Sequence, residues 1–310
     1  MARAAPAATR AASILAFLTA NPSRGFRISE LSEHLGMNLA SAHATLAVLC
    51  DAGFLLRDPV HRTYVLGPAL AVTGLAALEQ HPAVEAAIEQ AELLADELGA
   101  EIGVTAIAGR DVIFVARRGG PAALAASIGY PGDRSPLLAP IGAIFMAWAD
   151  DDAVDEWLAR AELSRPLVAS YREILGEIRE RGFSVPLPAI GSPAVQDAIT
   201  RVRSEPTDPG AEHHLADVLQ QADEMLAPLG RFAPTDEIVY KTIAAPIFDP
   251  IGRVLLSLSV TGPEHAVTVE EVLRLGHRLA QAAAVATRHV RGRAPTVDPP
   301  IGSVASGGLT

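Results

Sequence analysis

Apolar residues recur at helical spacing three times within the first fifty positions. Ala11, Ile14, Leu15 and Leu18 share one face, which predicts a helix over 9–20 that stops before Pro22. After Gly25-Phe26-Arg27-Ile28, Ser29 is the predicted N-cap of a short helix in which Leu31 and Leu35 lie four apart and Gly36 ends the run. Asn38 is expected to cap a third helix, with Ala42, Leu46 and Leu49 inward and Gly53 as its stop. Two short helices across a tight glycine-containing turn make a helix-turn-helix. The pattern then changes to short strands at 54–57 and 62–66 about a turn at 58–61, and a ribbon directly after the third helix is the wing of a winged helix.

Further along, helical character fills 68–98 with a break at His81-Pro82, and Val84, Ile88, Ala91, Leu94 and Leu98 form one stripe. From Ile102 the period shortens. Strands are predicted at 102–108 and 112–116, joined through Gly109-Arg110-Asp111, and again at 124–128, 242–248 and 254–260. Helices fit 140–149, 151–161, 170–181, 192–204, 211–226 and 268–290. The expectation is an α+β chain: a winged helix-turn-helix over 1–70, linker helices over 71–100, a sheet-and-helix domain over 101–291, and a Pro/Gly/Ser-rich disordered tail over 292–310.

Composition narrows the function. Hydrophobic residues make up 49% of the 310 and charged residues 20%, enough apolar material for a core and too much for whole-chain disorder. The lone Cys50 allows no internal disulfide, and no later disulfide set supports export of the weakly signal-like N-terminus; the expected location is the cytoplasm, with no membrane span. Cys50 itself is expected to be a buried small thiol. The net charge of −11 argues against nucleic acid until it is divided. Residues 1–70 hold six arginines against four carboxylates, a net +2, so the remainder carries −13 and only the first segment suits DNA.

The runs Leu31-Ser32-Glu33-His34-Leu35-Gly36-Met37, Ser41-Ala42-His43-Ala44-Thr45-Leu46 and Leu49 through Pro59, followed by Tyr64-Val65-Leu66-Gly67, resemble the winged helix of the isocitrate-lyase-regulator (IclR) type transcription factors. Ile243 through Gly252, Leu258 through Pro263, Leu138 through Gly142 and Ile178 through Phe183 are similar to phrases of that family's effector domain. The resemblance implies a homodimer or dimer of dimers that binds a double-stranded DNA operator, and a GAF-like C-terminal domain that takes a small organic or aromatic acid. For such a reader, Asn38, Ser41, His43 and Thr45 are candidate groove or phosphate contacts, and Arg27, Arg57 and Arg62 candidate phosphate clamps. Leu39 and Ala44 stand where the family commonly has basic residues. Thymine-methyl contacts from Ala40 or Ala44 are expected, with phosphates supplying most of the affinity. Carried over by position, the effector site is lined by Ala139, Pro140, Ile141 and Gly142 and by Thr242, Ser259 and Thr261.

Relative to the family pattern, 184–235 is read as a helical insertion containing the pair His213-His214, whose neighbouring rings diverge on a helix and make a poor chelate. No metal or cofactor is expected. Hydrolase, phosphate-loop, zinc-protease and paired-cysteine motifs are missing, so no catalytic residue is assigned and the chain is not expected to be an enzyme. The competing class is a ligand-binding or protein-interaction module whose winged helix no longer reads DNA.

Overall fold

The computed structural model describes residues 5–120, 131–161, 163, 165–185, 193–204, 209–221, 229–263 and 265–295. The strand expected at 124–128 and positions 296–310 of the expected tail lie outside the described residues.

The first domain is built from three helices and a small sheet. α1 (Pro6–Ala20) begins at a proline, whose missing N–H costs a first turn nothing, and it buries Ile14 and Leu18. α2 (Ile28–His34) starts earlier than expected: Arg27 takes the N-cap position, and its backbone N–H donates to the Glu30 carboxylate at 2.7 Å. Ser29 therefore sits inside the helix rather than capping it, because the capping contact is made from the third helical position. α3 (Leu39–Asp51) is capped as expected, with Asn38 Oδ1 accepting from the Ser41 N–H at 2.8 Å. β1 (Phe26–Arg27), β2 (Leu55–Arg57) and β3 (Thr63–Leu66) form an antiparallel sheet in the order β1-β3-β2. The two-residue β1 is too short to show alternation and was not legible in the sequence. Ile14, Leu18, Phe26, Leu31, Leu46, Leu49, Leu55 and Tyr64 close one core, with Cys50 half-buried at its margin.

α4 (Pro68–Gln80) follows and buries none of its residues. α5 (Pro82–Leu98) starts at the expected break, and its alanines 83, 86, 87, 91 and 95 with Leu94 pack into the second domain's core. Of the two helices assigned to the linker, only α4 is therefore free of a core.

The second domain holds β4 (Ile102–Ala108), β5 (Asp111–Arg118), β6 (Arg134–Pro136), α6 (Ala143–Met146), α7 (Asp151–Arg160), α8 (Arg165–Arg181), α9 (Pro193–Ser204), α10 (Pro209–Gln221), a 3-10 turn (Leu229–Arg231), β7 (Glu237–Ile238), β8 (Thr242–Phe248), β9 (Val254–Thr261), β10 (Val267–Thr268) and α11 (Val269–His289). Five strands make an antiparallel sheet in the order β6-β5-β4-β9-β8. One face, through Ile102, Val104, Ile243, Ala245, Leu258 and Val260, packs on α5 and α11. A second cluster gathers α6 to α10 with Val112 of β5 and Leu138-Ala139. The described parts of the expected insertion belong to it, since Val195, Ala198, Ile199, Leu215 and Leu219 are buried there, while His213 and His214 stay exposed on α10. α11 opens on a reciprocal cap: Thr268 Oγ1 accepts from the Glu271 N–H at 3.3 Å, and the Glu271 carboxylate accepts from the Thr268 N–H at 3.2 Å.

The helix expected over 140–149 is reduced to α6. Gly142 holds a left-handed φ of 87°, and side chains of α7 rather than helical N–H groups bind the Leu137 and Ile141 carbonyls.

Candidate functional site

α3 turns Ala42, Leu46 and Leu49 inward, which leaves Leu39, Ala40, His43, Ala44, Ala47, Val48 and Asp51 exposed. Of the four polar candidates, Asn38 spends its side-chain oxygen on the cap, and Thr45 Oγ1 donates to the Ser41 carbonyl at 2.8 Å. The His43 ring is exposed and the Ser41 side chain half-buried. These two are the polar groups of the helix best placed to meet a base edge or a phosphate.

Cations surround the helix instead of occupying it. Arg27 is exposed at the start of α2, and Arg57 extends from β2 with its guanidinium carbon 5.9 Å from the Tyr64 ring centre, on the residue it faces across the ribbon. Arg62 is exposed beside the wing turn in the left-handed region, at φ 56°. Asp58 organises that turn: Oδ1 accepts from the Val60 and His61 N–H groups at 2.7 and 3.0 Å, and Oδ2 is 2.9 Å from His61 Nδ1. Hydrogen bonds from His61, side chain first and then backbone, hold the Asp58 carboxyl down to about 2. Arg24 was missed in the sequence. It lies 3.8 Å over the Phe26 ring and 2.8 Å from Glu30, whose carboxyl is lowered first by the Arg27 backbone and then by Arg24.

A second arrangement lies on the sheet face opposite α5 and α11. Ser257, Ser259 and Thr261 alternate along β9, paired across β4 with Thr105, Gly103 and the end of that strand, and across β8 with Pro246, Ala244 and Thr242. Ser259 is buried, whereas Thr242 and Thr261 are half-buried neighbours in register. Ser257 and Thr105 share a buried hydrogen bond at 2.8 Å, and Thr261 Oγ1 donates to Glu101 at 3.4 Å. Glu101 in turn pairs with Arg117, both side chains largely enclosed. Of the residues missed in the sequence, Ser257 follows from alternation two positions before Ser259; Thr105, Glu101 and Arg117 reach the strip only through strand pairing.

Ala139 and Pro140 are buried and joined by a cis peptide bond, and Ile141 and Gly142 are half-buried. Trp157 Nε1 donates to the Ile141 carbonyl at 2.9 Å, and Arg160 donates to the Leu137 carbonyl at 2.6 Å and the Arg110 carbonyl at 3.2 Å. Arg160 also pairs with Glu212 of α10 at 2.8 Å. Nothing in the local sequence marks Trp157 or Arg160 as anchors of a distant loop. α6, which continues this loop, lies against β8 and β9, so the structure brings the 139–142 segment and the serine–threonine strip to the same side of the sheet.

Residues 7–59 match the family model of the IclR helix-turn-helix domain. No curated protein matches the chain. Among solved structures, an IclR transcriptional regulator from Alicyclobacillus acidocaldarius is 19% identical with a TM-score of 0.65, covering 93% of this chain and all of that one. HmgR of Pseudomonas aeruginosa is 22% identical with a TM-score of 0.58 over 92% of this chain and 98% of its own. An IclR homolog from Microbacterium hydrocarbonoxydans, solved with 4-hydroxybenzoate, is 16% identical with a TM-score of 0.59 over 91% and 98%. At these identities the structural likeness speaks to the fold.

Proposed function

We propose that this IclR-type protein, with an IclR helix-turn-helix in its first domain and the fold of IclR regulators across both, is a cytoplasmic, homodimeric regulator that binds operator DNA under control of a small organic or aromatic acid. The match over residues 7–59 carries the DNA-binding half, and the exposed α3 flanked by Arg27, Arg57 and Arg62 supplies the chemistry for it. Support for the ligand half is the hydroxyl strip of Ser259, Thr261 and Thr242, on the side of the sheet against which α6, the continuation of the 139–142 loop, is packed; hydroxyls and backbone amides beside an apolar wall suit a carboxylate or a phenol. The structural neighbour bound to 4-hydroxybenzoate takes a ligand of that kind.

Support for the dimer is α4. A 13-residue helix that buries nothing while exposing Val72 and Leu75 at 67% and 64% gains its stability from a partner surface, and a second copy places two winged helices on one duplex. The apolar face of α3 favours one other reading, a winged helix that binds protein. Binding of purified protein to its own upstream DNA separates the two: sequence-preferring, salt-sensitive complexes are expected, and their absence there and on genomic fragments would overturn the regulator reading.

A further inference from the structure

The exposed surface of α3 contains no lysine or arginine. Its outward residues are Leu39, Ala40, Ala44, Ala47 and Val48, with His43 on one flank and Asp51 at the C-terminal end; Leu39 is 58% and Val48 67% exposed. Leu39 in the first turn and Val48 in the third stand on opposite flanks of that exposed face, with Ala40, Ala44 and Ala47 between them, and neither packs on the domain's own core. The cations sit elsewhere, on Arg27 at the start of α2 and on Arg57 and Arg62 of the wing. The domain therefore separates two tasks: the surrounding arginines meet phosphates, and the helix between them offers methyl groups with no guanidinium to seek guanine. Asp51 repels the backbone, so the N-terminal turns are the part suited to entering the groove. The apolar feature of a major groove is the thymine C5-methyl.

Resting on the reading that residues 7–59 bind duplex DNA, we infer that α3 selects its operator chiefly through thymine methyl groups, packed against Leu39, Ala40 and Ala44 of its N-terminal turns, with His43 making the principal polar base contact. The preferred half-sites are thymine-rich on the strand facing the helix. Removing one contacted methyl costs roughly three- to fivefold in affinity, the burial of about one methyl group.

The test begins with selection of bound duplexes from a random pool by the full-length protein, followed by replacement of each thymine in the selected site with deoxyuridine. Uracil keeps the pairing and the hydrogen-bonding edge and loses only the methyl. Affinity is expected to fall by that factor at two or more positions per half-site. At those positions a cytosine substitution should be partly rescued by 5-methylcytosine. Ala44→Arg, on an exposed site that leaves the core untouched, should shift the selected base towards guanine and abolish the deoxyuridine effect where it acts. Sequence-preferring binding that is indifferent to deoxyuridine would overturn the inference and leave the regulator reading standing. No sequence preference at all, or capture of protein in place of DNA, would overturn both.

Discussion

The Ser259 hydroxyl stands over Gly103 of the adjacent strand: Oγ lies 3.4 Å from the Gly103 carbonyl oxygen, and a Cβ on Gly103 would approach it to 2.8 Å. Glycine there leaves the hydroxyl its place on the sheet face. Gly103→Ala is expected to push the hydroxyl aside at a cost of about 1–3 kcal/mol, and Ser259→Val to remove it. On the proposed function, small carboxylic acids are expected to raise the Tm of the parent protein, and both variants to lose that rise while DNA binding without ligand is retained. An unaltered ligand response in Ser259→Val would take Ser259 out of the site.

Arg62 combines a left-handed backbone with an exposed charge, so its two contributions separate by substitution. Arg62→Gly relieves about 1 kcal/mol of backbone strain and should raise the Tm of the first domain by a few degrees. Arg62→Ala keeps the strain. Both variants should weaken binding to all sequences alike and reduce the salt slope by about one. A change confined to one base position would show that Arg62 reads a base and does not clamp a phosphate.

The wing turn should respond to acid. Asp58 is depressed from 3.8 to about 2 by its hydrogen bonds, so its contribution is fully present above the unfolded value and disappears as pH falls through about 2. The protection of the Val60 and His61 amides, taken as exchange relative to the intrinsic rate at each pH and measured by NMR from pH 5 downwards, should therefore fall mainly below pH 4. Asp58→Ala should leave both amides unprotected at every pH. Identical profiles for parent and variant would mean that Asp58 does not hold the turn.

α4 offers the test of assembly. Leu75→Glu places a carboxylate at a site that is 64% exposed in the protomer, so the protomer should fold unchanged. Sedimentation should show dimer shifted towards monomer, and binding to a two-half-site operator should fall far more than binding to one half-site. A dimer of unchanged stability would place the interface elsewhere.

Much of this architecture is written in the chain. The spacing of Ile14, Leu18, Leu31, Leu46 and Leu49 places α1 to α3, Asn38 marks a cap, Asp58 a turn, and short apolar runs bounded by turn residues mark β4, β8 and β9, because each depends on residues within a few positions of one another. Alternation also puts Ser259 and Thr261 on one face without saying which. Ser29 misled as a cap because Arg27 and Glu30 satisfied the same end of the helix from the backbone side. The helix over 140–149 misled because Trp157 of α7 takes the Ile141 carbonyl and Gly142 turns into the left-handed region, so the helical ladder starts only after it.

The sequence by itself determined the local elements, the basic first segment and the resemblance that ties it to DNA. Tertiary structure decided that the hydroxyls of β9 face away from α5 and α11, that Gly103 leaves room for Ser259, that Glu101 and Arg117 close on Thr261, and that α5 belongs to a core while α4 does not. The reason is distance along the chain: the register of β4 on β9 joins residues 156 positions apart and the anchoring of the 137–141 loop joins residues 16 to 23 apart, and no local pattern records which partner lies across.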